Sequence, residues 1–110
     1  MGSRPKFSYV RSDGYRRFVA RQGCFSCGIE GYSQAAHPNQ AKYGKGRSIK
    51  ASDAYCFPLC GPHGSHPGCH AQLDLLIDMT KDEQMAFEDQ YVERMITLAA
   101  RNGWLNGRKT

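Results

Sequence analysis

Five cysteines in 110 residues constrain this chain more than any other feature. Four can be read as two pairs: Cys24-Phe-Ser-Cys27-Gly28, and Cys60 with either His63 or Cys69. Structural zinc takes four tetrahedral sulfur or nitrogen ligands, usually delivered as two close pairs. Cys24 and Cys27 have knuckle spacing, and Gly28 permits the positive φ that such turns use. Cys69 is favoured as the fourth ligand because thiolate is the better donor, and Gly61, Pro62, Gly64, Pro67 and Gly68 make the insert a compact loop. On that reading His63 and His66 belong to a spacer, and Cys56, too far back along a predicted strand, is a buried thiol. A chain this short buries a modest core, so a metal staple would add real stability.

The first ten residues lack the apolar segment of a secretory signal, and no apolar run approaches the roughly 18 residues of a membrane span. The expected location is cytoplasmic, where cysteines serve metals or catalysis rather than disulfides. Charge is uneven: residues 1–70 carry ten Lys/Arg against Asp13, Glu30 and Asp53, and residues 71–110 carry five against seven acids. The basic part is therefore the part that holds the Cys and His residues, which favours a polyanionic partner such as nucleic acid.

Residues 1–11 read as a basic, frayed arm, residues 12–79 as the core, and residues 80–110 as a helix packing on it. Ser12-Asp13 caps a predicted helix over Gly14–Arg21 with Tyr15, Phe18 and Val19 on one face, and Gly23 is expected to end it in a left-handed turn. Gln34–His37 and Ala54–Leu59 read as short strands joined by a long basic loop. A helix over Cys69–Asp78 would turn Leu73, Leu76 and Ile77 inward and set His70 and Asp74 four apart on a neighbouring face. Thr80-Lys-Asp-Glu83 is a capping box for a long helix to about Arg101, with Phe87, Tyr91, Val92, Met95, Leu98 and Ala99 as its apolar face. Gly103 would end it and Trp104-Leu105 would pack back on the core. The expected fold class is small α+β, a zinc-stapled ββα unit with flanking helices.

In such a unit a strand-borne His37 and a helix-borne His70 face one groove. His70 and Asp74 could hold a divalent ion while His37 deprotonates water. A competing pair is His66 and His70, also four apart, though Gly68 weakens a helix there. In the loop, Lys42, Lys45, Arg47 and Lys50, with Gly44 and Gly46 for close approach, suit contact with a phosphate backbone, although a solvated loop has the same composition.

At these residues the chain resembles the HNH, or ββα-metal, nuclease superfamily, and within it phage and prophage HNH-like proteins including the Ref recombination nuclease group. The matching pieces are Cys24-Phe-Ser-Cys27-Gly28, Ala35-Ala36-His37-Pro-Asn39, Gly44-Lys-Gly-Arg47, Lys50-Ala-Ser-Asp53, and Pro58-Leu59-Cys60 with Gly68-Cys69-His70. The resemblance implies a structural zinc on Cys24, Cys27, Cys60 and Cys69 and an active-site divalent metal, Mg²⁺ or else Mn²⁺ or Zn²⁺. It implies hydrolysis of DNA phosphodiesters, with a recombination protein as a possible further partner. His37 matches the general base, His70 the metal-binding histidine, Asp74 a second helical ligand, and Asp53 lies near the residue that orients the base. Where relatives often carry an acidic or His ligand before the base, this chain has Ala36, which leaves the ion fewer ligands unless Asp53 joins them. It also leaves a zinc-stabilised DNA-binding module without catalysis as the alternative.

Overall fold

The computed structural model describes residues 9–47 and 49–110. Most of the predicted arm, residues 1–8, lies outside the described residues. Residues 9–11 are packed rather than frayed. Val10 is buried, its N–H donates to Ser52 Oγ at 2.9 Å, and its carbonyl accepts from the Asp53 N–H at 2.9 Å.

Helix α1 (Asp13–Ala20) opens as expected on Ser12, whose Oγ accepts from the Tyr15 N–H at 3.1 Å. It buries Tyr15 and Val19. It ends at Arg21 in right-handed conformation, not on Gly23. The Arg21 N–H reaches the Arg17 and Phe18 carbonyls and the Gln22 N–H reaches Val19, so the last carbonyls are satisfied without a left-handed residue.

Strands β1 (Ser33–Ala36) and β2 (Phe57–Cys60) pair antiparallel, Ser33 opposite Cys60 and Ala36 opposite Phe57. The predicted second strand was too long at its start. Asp53–Tyr55 winds into a 3-10 turn whose Ala54 N–H is capped by Ser52 Oγ at 3.3 Å. That turn exists because the Asp53 carboxylate is drawn inward to a set of cations and donors. Every residue of β2 is buried, and the core forms where it meets α1, Leu73 and the long C-terminal helix.

Helix α2 (Cys69–Asp74) is shorter than predicted. Leu76 and Asp78 both take φ of +56°, which breaks the helix so that the chain can reverse into the next one. The expected inward stripe therefore reduces to Leu73; Ile77 is 47% exposed, and Met79 packs on the core instead.

Helix α3 (Lys81–Arg101) starts on the predicted capping box, with both reciprocal bonds between Thr80 and Glu83 present. Val92, Met95 and Ala99 are buried and Tyr91 and Leu98 partly so, whereas Phe87 leans outward. Two polar residues on the same helix, Gln84 and Glu88, are also buried, which the apolar periodicity did not foretell. After Gly103, strands β3 (Trp104–Leu105) and β4 (Arg108–Lys109) form an unpredicted hairpin around Asn106-Gly107. Trp104 packs on Tyr15 and Phe18 with ring centroids 5.2 and 5.7 Å away, as expected of it, while Leu105 stays exposed. No described helix is long and apolar enough to cross a membrane.

Candidate metal centre and adjoining groove

The Cys24–Cys27 turn is fastened to the sheet. Phe25 N–H donates to the Pro58 carbonyl at 2.9 Å, and Gly28, at φ +81°, returns its N–H to the Cys24 carbonyl at 2.9 Å. Cys60 ends β2 and Cys69 opens α2, so the four sulfurs come from three elements. Their Sγ atoms all lie within 4.8 Å of one another. A tetrahedral zinc with Zn–S bonds of about 2.3 Å needs sulfurs ~3.8 Å apart; Cys27 and Cys60 stand at 3.8 Å. Backbone donors already point at the sulfurs, Cys27 N–H to Cys24 Sγ at 3.5 Å and Cys69 N–H to Cys60 Sγ at 3.2 Å. These four cysteines could hold a structural metal such as zinc, and they fit it in number, donor type and spacing.

The thiols are tuned unequally. Burial opposes ionisation of Cys24, but backbone N–H groups of Cys27, Cys60 and Ser26 outweigh it and bring the thiol down to about 7. Burial pushes Cys69 up to about 12, and the Cys60 thiol and the Cys24 charge beside it add to the rise. The Cys24 sulfur is thus ready to ionise, while Cys60 and Cys69 need a cation to remove the repulsion. Cys56 lies outside this cluster, fully buried, with burial holding its thiol near 12.

On the other side of the Cys69–His70 peptide is a cavity of about 230 Å³. His37, Asn39, Lys45, Lys50, His70 and Asp74 line it. Two of the predicted cations are therefore on the groove. Lys42 instead pairs with Asp89 of α3 at 3.1 Å and lies over the Tyr43 ring, and Arg47 is exposed outside the cavity lining.

His37 follows β1 directly, and its Nε2 lies 2.7 Å from Asp53 Oδ1. Asp53 is fully buried and also receives the Ser12 N–H at 2.7 Å and the guanidinium groups of Arg11 and Arg16. Burial raises its pKa, but these partners, His37 first, win and hold it below the usual carboxylate range. An ionised carboxylate has no proton to give, so His37 donates from Nε2 and keeps its lone pair on Nδ1. Burial lowers the His37 pKa, and the opposing pull of Asp53 does not cancel it. The imidazole is thus a neutral base with a fixed tautomer. Asp53 is saturated by these contacts and is no metal ligand.

His70 faces Gln34 Oε1 through Nδ1 at 2.8 Å and Asp74 Oδ2 through Nε2 at 3.3 Å. The Gln34 carbonyl oxygen holds the proton on Nδ1 and leaves the Nε2 lone pair beside the Asp74 carboxylate. Gln34 is a residue the sequence reading missed; its only trace is Gly61, where a Cβ would come within 2.6 Å of the Gln34 amide. Glu88 was missed too. It accepts from the Asn39 N–H at 3.0 Å and the Gln40 side chain at 2.9 Å, clamping the loop after His37 onto α3. Its signal is a charge on a largely apolar helix face.

Fold and site together define a small α+β domain with a four-thiol cluster set against a basic His/Asp groove. The chain belongs to the family described as protein of unknown function (DUF968), whose model matches residues 2–101. No curated protein and no solved structure matches it.

Proposed function

We propose that this chain is a metal-dependent DNA endonuclease or nickase of the HNH, ββα-metal type, of phage or prophage origin and acting in the bacterial cytoplasm. The observation that carries this reading is the groove itself, where a neutral His37 held by Asp53 shares one cavity with His70, Asp74, Lys45 and Lys50. His37 Nδ1 would take the proton from an attacking water while Asp53 steadies the imidazolium that forms. His70 and Asp74 would hold a divalent ion, Mg²⁺ or Mn²⁺, which when bound supplies Lewis-acid stabilisation of charge on the phosphate. Lys45 and Lys50 would grip the DNA backbone. A recombination protein is a candidate partner for delivering the DNA.

The test is cleavage of supercoiled, linear and single-stranded DNA by zinc-loaded protein with Mg²⁺ or Mn²⁺. Cleavage is expected, with His37→Ala slowing it roughly 10²–10⁴-fold. DNA left intact in every form, or equal cleavage by the variant, refutes the reading. One observation favours the second reading, a zinc-stabilised DNA-binding module without catalysis: Ala36, buried at the end of β1, offers no ligand. That reading expects salt-dependent DNA binding that survives loss of both His37 and His70.

A further inference from the structure

The insert between Cys60 and Cys69 is more ordered than a spacer. His63 and His66 close a two-residue turn through Gly64-Ser65, each N–H donating to the other's carbonyl at 3.0 and 2.9 Å. Gly64 takes φ of +56°, which a tight turn of this kind requires. Residues so paired project from the same face, and the two imidazoles stack with centroids 4.8 Å apart and planes 8° from parallel. Tyr32 covers the outer side of His63, again at 4.8 Å.

This turn stands against the thiol cluster. Ligand atoms of His63 and His66 and the Cys60 sulfur all lie within 4.8 Å of one another. His63 Nε2 is buried and has no hydrogen-bond partner among the described residues. A buried imidazole nitrogen without a partner is costly, and a cation would satisfy it. Donor type narrows the choice: one thiolate and two imidazoles suit zinc and its borderline or soft neighbours, not Mg²⁺ or Ca²⁺.

We propose that His63, His66 and a Cys60 thiolate shared with the four-cysteine cluster form a second metal position, for a zinc-like ion. Cys60 bridges the two ions, and a water completes the second tetrahedron. Gly68 N–H donates to His66 Nδ1 at 2.8 Å, so the single lone pair of a neutral His66 is already engaged. Ligation by His66 breaks this bond, and the two rings open from their parallel stack. The second ion therefore binds roughly tenfold or more weakly than the first. Its entry releases the amide next to Cys69 and thereby reports at the start of α2.

The proposal is independent of the nuclease reading and is tested without DNA. Co²⁺ and Zn²⁺ titrations of the full chain, followed by native mass spectrometry and the thiolate-to-cobalt absorption, are run in a His70→Ala background so that the groove cannot supply the second ion. Two equivalents are expected, the second adding thiolate absorption and shifting the Gly68 amide resonance. His63→Ala/His66→Ala in the same background is expected to bind one. A single equivalent before these substitutions, or two after them, overturns the proposal. The first result needs no second variant to fold. Circular dichroism of the substituted chain establishes whether its single equivalent reflects a folded domain, and His66→Gln alone, also expected to lose the second ion, supplies the check if it does not.

Discussion

Asp53→Asn is the most informative single substitution, because it keeps shape and removes charge. Asp53 is fully buried and gathers His37, the Ser12 N–H, Arg11 and Arg16. Removing one partner of a buried charged pair costs about 3–5 kcal/mol. Here the Arg11 and Arg16 side chains are 41% and 34% exposed, so water recovers part of that loss. The asparagine amide also turns a donor toward a ring of donors, which returns some of the cost. The expected destabilisation is about 2–4 kcal/mol. At roughly 4 °C per kcal/mol for a domain of this size, the melting temperature falls by ~8–16 °C. Thermal melting of zinc-loaded protein at pH 7, followed by circular dichroism, measures it. A variant melting within about 2 °C of the parent would falsify the argument that Asp53 is the electrostatic centre of the N-terminal half.

Four further outcomes rest on the same geometry. Because burial lowers the His37 pKa, the neutral base persists as pH falls through about 6.5, the ordinary imidazole value, and on the nuclease reading the acid limb of kcat/KM for cleavage lies below it; a limb at or above that value contradicts the assigned environment. Lys50 adds to the lowering, so Lys50→Ala should move the limb upward. Glu88→Ala leaves the Asn39 N–H unpaired and takes one acceptor from the Gln40 amide, which keeps Asp89, and should cost about 1–3 kcal/mol in urea unfolding, an unchanged midpoint counting against the clamp. Cys24→Ser removes the thiol poised to ionise first, and a colorimetric zinc assay should find the tight equivalent gone along with cooperative unfolding; full retention of metal and stability would rule out the staple.

The parts legible in the sequence were those written in local spacing. Cys24 and Cys27 announce a turn, Ser12 a cap, and Thr80 with Glu83 a helix start, and each needs only three or four residues to be read. Asp53 meeting His37 is a different case, implied by the resemblance and not by local spacing. Sixteen positions separate them, and contact depends on a 3-10 turn that replaced the first half of a predicted strand. Glu88 and Gln84 escaped because periodicity scores apolar residues, while these sit on the buried face by hydrogen bonding, Gln84 to the Leu73 carbonyl at 2.9 Å. The Asn106-Gly107 hairpin carries its signal in the sequence, an Asn-Gly pair that suits a two-residue turn, although the expectation for this segment was only that Trp104-Leu105 packs on the core. α2 is shorter than its pattern implies because Leu76 and Ile77 look like a helical stripe, yet the reversal into Thr80 takes them out of register.

The two halves of the site are joined through one peptide bond. Cys69 and His70 are consecutive on α2, so their side chains leave the helix about 100° apart, one into the thiol cluster and the other toward Gln34 and Asp74. The cluster therefore anchors the helix that presents His70, as Asp53 anchors His37. The loop after His37 is held separately, by Glu88 and Asp89 from α3. Loss of a metal held by the cluster should thus disorder the His70 side of the groove first, while the Asn39–Tyr43 loop stays docked. A groove whose two walls depend on different supports can lose its His70 wall and keep the other. On the nuclease reading, DNA affinity should then outlast cleavage as zinc is withdrawn.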